Sequence, residues 1–164
     1  QAVVSHKSGR YSVEHPLVLG AAFAGGNTEL LAALSMVGGP LGQAFQLRDD
    51  VLGVFGDPAD TGKPAGDDLR EGKRTALIAL ARSYAEGTDR AFIETHLGDR
   101  HADAGTIARL QQILETSGAR DAHEKLITRL LEQSQAALQR APIHDPAAAD
   151  FISQLAGRLA FRVA

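Results

Sequence analysis

A chain of 164 residues, 44% hydrophobic and 23% charged with a formal net charge of −3, has the balance of a globular protein. That balance excludes a fully disordered chain and a nucleic-acid binder driven by a general basic field. The absence of cysteine excludes a disulfide framework, a thiolate metal site and cysteine-based catalysis. The longest nearly apolar stretch, residues 17–26, is ten residues long, against the about 20 that a membrane-spanning helix needs. With no charged-then-apolar secretory start, the expectation is a cytoplasmic protein without a membrane span.

Helical periodicity dominates the chain. Residues 13–24 read as a short helix after a break at Lys7-Ser8-Gly9. Asn27 is a good N-cap for a long helix running to about Phe55. Its apolar set is Leu30, Leu31, Leu34, Val37, Leu41, Phe45, Leu52 and Phe55. Gly38-Gly39-Pro40 is expected to interrupt and kink it, and the glycines to let a neighbouring backbone or ligand approach closely. Residues 56–73 form one long polar connection rich in glycine, proline and acids, of the kind that is usually functional or mobile. Residues 74–85 return to helix. Thr88 caps another that ends near Gly98, and Asp103 starts a third that ends at Ser117-Gly118. Residues 119–140 form a longer amphipathic helix, residues 141–146 a turn, and residues 145–162 the last helix. No alternating strand pattern occurs, so the fold class is all-α.

The chemistry concentrates in residues 45–75. On a helix, Gln46, Asp49, Asp50 and Gly53 share one stripe. Two adjacent carboxylates repel, and a nearby cation relieves them. Oxygen-only ligands on a preformed helix suit Mg²⁺, which keeps several waters and uses one or two carboxylates plus substrate phosphates. Lys63 and Lys73 lie among glycines, where backbone can approach an anion and lysine can act as a point charge for phosphate. An acidic pair alone reads as a solvated helix edge, and a polar loop alone as a connector. Acids, lysines and glycines together within thirty residues read as a metal-and-phosphate site. A nucleotide P-loop at Gly62-Lys63 fails on spacing: five residues separate Gly56 from Gly62 where that motif has four, and Pro64 follows the lysine. His96, His101, Asp99 and Asp103 fall in a helix-to-helix connection with nothing to fix a metal geometry, and read as exposed loop residues.

The run GQAFQLRDDVLGVFGDPADTGKPAGDDLREGKRT resembles the second aspartate-rich region of trans-polyprenyl diphosphate synthases of the geranylgeranyl and farnesyl type. That pattern is FQ-x-x-DD-x-x-D, then GDP-x-x-TGK, then G-x-D-(L/I)-x-x-x-K. The earlier KSGRYSVEHPLVLGAAFAG resembles the segment of those enzymes that carries a lysine with a threonine or serine. The resemblance implies an isoprenoid-synthase helical bundle of which this chain, residues 1–164, is the C-terminal portion of a single domain. It implies transfer of an allylic diphosphate's prenyl group to isopentenyl diphosphate, with Mg²⁺ as cofactor and a homodimer as the assembly. Asp49 and Asp50 match the metal-holding carboxylates. Lys7, Lys63 and Lys73 match the lysines that grip diphosphate, and Ser8 and Gln46 match groups beside the reacting prenyl chain. Gly53 stands where the stricter motif has its last aspartate, so this stripe offers two carboxylates where the full motif offers three. Asp67-Asp68 is a second departure, with one more residue between it and Lys63 than some relatives show, and Asp68 takes a structural or loop-ordering role. The first DD-x-x-D motif is expected upstream of Gln1, so the chain is expected to be inactive without that N-terminal half. The alternative is a non-catalytic helical partner subunit of such a synthase.

Overall fold

The structure, a computed structural model, describes residues 5–62 and 64–162; for residues 5–9, 60 and 61 it describes the backbone alone. The described residues are helical with no strand, as composition and periodicity indicate. Helix α1 (Ser5–Glu14) leads into α2 (His15–Phe23) and the long α3 (Thr28–Phe55), followed by one-turn helices α4 (Pro58–Thr61) and α5 (Asp67–Arg70). Helices α6 (Ala76–Tyr84), α7 (Gly87–His96), α8 (Ala104–Thr116), α9 (Ala119–Leu138) and α10 (Pro146–Phe161) complete the chain. Two compact units divide the described residues: 5–48 with 126–162, and those within 49–125.

In the first unit, Asn27 caps α3 by accepting a hydrogen bond from the Leu30 N–H at 2.9 Å. Helix α3 then runs unbroken through Gly38-Gly39-Pro40, where the sequence leads one to expect an interruption. The close approach expected of these glycines is present at Gly38. A Cβ on Gly38 would lie 2.7 Å from the Glu14 Cα, so the end of α1 crosses α3 backbone against backbone at that point. The Glu14 carboxylate accepts from the Ser35 hydroxyl at 2.6 Å and pairs with Arg10 at 3.3 Å, fastening the crossing. Ser134 on α9 donates to the Val37 carbonyl at 2.9 Å, and Arg48 donates to the Ala160 carbonyl at 2.8 Å, tying α10 to α3. The break expected at residues 7–9 is absent: the backbone winds continuously as a π-helix over Ser5–Glu14. Such wide turns are rare and frequently mark functional sites.

Helix α3 is long and apolar enough to cross a membrane by length and composition. The ten-residue apolar run therefore understates it. The same profile belongs to a core helix, and α3 buries Leu34, Val37, Leu41, Ala44 and Leu47 and carries Arg48, Asp49 and Asp50 in its last turns. Helix α2, apolar along most of its length, buries none of its residues. Tyr11, Leu19, Phe23 and Met36 are exposed in this unit, as are Phe151, Leu155 and Phe161 on α10.

The second unit has its core around α8. Ile107, Leu110, Ile113 and Leu114 pack with Val54, Leu69, Leu77, Ile78, Ala81 and Ile93. Asp103 caps α8 by accepting from the Thr106 N–H at 2.7 Å, and Thr75 caps α6 by accepting from the Ile78 N–H at 3.3 Å. Thr88 does not cap α7. It lies inside that helix, whose first flanking residue, Glu86, makes no side-chain cap bond.

Candidate functional site

The polar connection of residues 56–73 is folded onto the second unit rather than strung across it. Asp57 accepts from the Ala59 N–H at 2.8 Å, and Pro58 starts α4, which ends on left-handed Gly62. Gly66 is also left-handed, at φ +71°, and a Cβ there would lie 2.4 Å from Ile107 Cγ2. The loop is therefore pressed against α8. Leu69 is fully buried, and its carbonyl accepts from the N–H groups of Gly72 at 3.2 Å and Gly98 at 2.9 Å. Arg70 donates to the Ala65 carbonyl at 2.8 Å and to the Ala102 carbonyl at 3.3 Å. Every one of these ties is tertiary or backbone-mediated, which is why the run reads as a plain connector from residue types alone.

The loop delivers one carboxylate to α3. A Cβ built on Gly53 would lie 2.2 Å from Asp68 Oδ2 and 2.4 Å from its Cγ, so the Asp68 carboxylate is seated on the bare Cα of Gly53. Position 53 lies about 40° around the helix from Asp49 and about 60° from Asp50, one turn onward. Asp68 therefore rests on the acidic stripe. It is 6% exposed and paired with the Lys73 ammonium, which also lies 3.5 Å from Glu71 Oε2. The hydrogen bond to Asp68 raises the Lys73 pKa above 10.5. Partial burial opposes that shift, and the charges of Asp68 and Glu71 add to it.

Of the residues picked out from the sequence, Asp49, Asp50 and Lys73 fall in this second unit. The two aspartates are not equivalent: Asp49 is exposed, while Asp50 is 6% exposed. Gln46 is half-buried on α3 and belongs to the first unit. Lys7 and Ser8 lie in the wide turns of α1, with side chains outside what the structure describes, and Lys63 lies outside the described residues. Among the described residues no three acids or imidazoles gather into a metal cage, the histidine-bearing connection included; His96 instead packs on the Phe92 ring at 4.3 Å. Phe45, read from the sequence as part of the apolar set of α3, is half-buried with the Arg162 guanidinium 4.5 Å from its ring centre. Sequence reasoning missed the joint role of Gly53 and Asp68. Its signal was present in the sequence, where Gly53 and the Asp67-Asp68 spacing both depart from the motif.

The family model for polyprenyl synthetases matches residues 1–114. The chain belongs to the polyprenyl synthetase family. A geranylfarnesyl diphosphate synthase of Aeropyrum pernix is 35% identical over 151 residues, which are 92% of this chain and 46% of that relative. The solved geranylgeranyl pyrophosphate synthase of Corynebacterium glutamicum, complexed with isoprenyl diphosphate and magnesium, is 41% identical. It superposes with a TM-score of 0.93 over 98% of this chain and 45% of that one. A polyprenyl synthase of Caulobacter crescentus, complexed with calcium and isoprenyl diphosphate, superposes with a TM-score of 0.87 at 31% identity, over 99% of this chain and 48% of its own. This member of the family spans about half the length of the relatives it matches.

Proposed function

We propose that this chain supplies the second aspartate-rich face of a prenyl diphosphate synthase. The reaction is condensation of an allylic diphosphate with isopentenyl diphosphate in isoprenoid synthesis. The carrying observation is the acidic turn of α3, where exposed Asp49 and the seated Asp68–Lys73 pair share one stripe. The solved family member bound to isoprenyl diphosphate and magnesium supports the assignment.

Carboxylate oxygens on a rigid helix, with no all-protein cage required, suit Mg²⁺. Asp49, which faces solvent, would hold it, with Asp50 buried beside it. When bound, the ion offsets the negative charge that builds on the departing pyrophosphate. Lys7, Lys63 and Lys73 bind the diphosphate oxygens as point charges. The allylic C–O bond breaks, the double bond of isopentenyl diphosphate attacks the resulting cation, a C–C bond forms and a proton leaves. Ser8 and Gln46 would present polar oxygens to the cation, which has to be kept from water.

Two aspartate-rich helices must face one another across the diphosphate, so the chain is inactive alone. It acts together with an N-terminal half that carries the first aspartate motif, in a cytoplasmic homodimer. The test incubates the purified chain with Mg²⁺, isopentenyl diphosphate and a labelled allylic diphosphate, alone and with a polypeptide carrying the first aspartate motif. Product is expected only from the combination. Turnover by the chain alone overturns the division of labour, and no product from either arm, with no magnesium-dependent affinity for pyrophosphate, overturns the assignment.

A further inference from the structure

The departure at Gly53 reads from sequence as a lost metal ligand. In the folded chain its place is filled. Three atoms of the Asp68 carboxyl group lie 2.2, 2.4 and 2.9 Å from where a Cβ would stand on Gly53. No side chain larger than hydrogen is compatible with that seat while Asp68 occupies it. Asp68 is buried and Lys73 is its cation, whereas the Lys73 side chain is 43% exposed. A buried carboxylate stripped of its cation is strongly unfavourable, whereas an exposed lysine gains little by leaving. The pair therefore stays together when an anion arrives. Of the three ammonium donors, one points to Asp68 and Glu71 lies within ion-pair distance, leaving donor capacity for a ligand.

We propose that Asp68 is a positioning residue, seated on Gly53, that holds the Lys73 ammonium at the acidic stripe of α3 for the diphosphate. Gly53 is thus the seat for the loop carboxylate rather than a gap in the motif. The inference rests on the functional reading above and extends it by one residue and one contact. Lys73 does not swing in from solvent to meet the substrate; it waits on a carboxylate fixed to the helix that carries Asp49.

The experiment has a spectroscopic and a binding arm on the same 164-residue chain. The chain has four lysines, Lys7, Lys63, Lys73 and Lys125, so ¹⁵N-lysine ammonium spectra can be assigned by single substitutions. The Lys73 signal is expected to be slow to exchange in the wild type. It should be lost from that state in both Asp68→Asn and Gly53→Ala. Calorimetry with magnesium pyrophosphate is expected to show roughly tenfold weaker binding for Asp68→Asn, the scale of one charge-assisted hydrogen bond. That loss should vanish in a Lys73→Met background. Asp68→Glu is expected to recover part of the affinity. Gly53→Ala should lower the unfolding midpoint of the wild type but raise that of Asp68→Ala, because alanine favours a helix once the seat is empty.

An Asp68→Asn loss that persists in Lys73→Met would overturn the positioning role, as would an unchanged Lys73 signal. Tighter pyrophosphate binding in Gly53→Asp would also overturn it, since that result marks position 53 as a missing ligand. A wild type with no affinity for magnesium pyrophosphate would overturn the functional reading and the diphosphate role with it. The ammonium signal and the Gly53 cycle would still report the pair in that case, so the two failures are distinguishable.

Discussion

Gly66→Ala probes how the loop is held, and its cost can be worked from two separable effects. Alanine in the left-handed region that Gly66 occupies, at φ +71°, costs about 1–2 kcal/mol. Its Cβ would also meet Ile107 Cγ2 at 2.4 Å, and Ile107 is buried in the α8 core, so it has little room to yield. Overpacking of that kind costs about 1–3 kcal/mol, for a total of roughly 2–5 kcal/mol. Gly62 is the internal control: its φ is +67°, but nothing lies within 4 Å of a built Cβ. Gly62→Ala should therefore show only the backbone part, about 1–2 kcal/mol. Urea unfolding of both variants, followed by circular dichroism, gives the difference directly. Equal losses in the two variants would refute the claim that the loop is pressed against α8, and so would a Gly66→Ala loss undiminished in an Ile107→Ala background.

Leu110 is fully buried among the α8 contacts, and Leu110→Ala should cost about 2–5 kcal/mol by urea unfolding. The Lys73 pair contributes stability below pH 10.5 that is lost as pH rises through the elevated pKa; an ammonium titration midpoint at or below 10.5 would count against the Asp68 contact. Asp103 is held below its ordinary 3.8 first by the backbone hydrogen bond from Thr106. Its contribution is therefore present above pH 3.8 and lost as pH falls through the lowered pKa, and Asp103→Ala should flatten the acid limb of a pH–stability curve. The exposed Leu19, Phe23, Phe151 and Phe161 are large apolar groups of the kind that drive association, so light scattering should report concentration-dependent assembly, reduced by Phe23→Ser with Phe151→Ser.

Three of the legible helix starts are written by a cap. Asn27, Asp103 and Asp145 each accept the N–H bond that fixes a first turn, and apolar spacing then carries the helix onward. Thr88 misled because a capping residue type lies one step inside the helix that Glu86 begins. The Gly38-Gly39-Pro40 run misled only as to the break, since the close approach it also signals is present. Only the tertiary position of Glu14 tells which applies. In the site, the acids and Lys73 were visible as residue types at a spacing. The seat of Asp68 on Gly53 was not, because it joins residues from different elements through a loop whose shape is set by Ile107, Gly98 and Ala102.

The most direct measurement is a calorimetric titration of the chain with pyrophosphate, with and without Mg²⁺, in the wild type and in Asp49→Asn. The account predicts binding that needs the ion and weakens by roughly tenfold or more when the exposed carboxylate is neutralised. Affinity that ignores both the ion and Asp49 would contradict it.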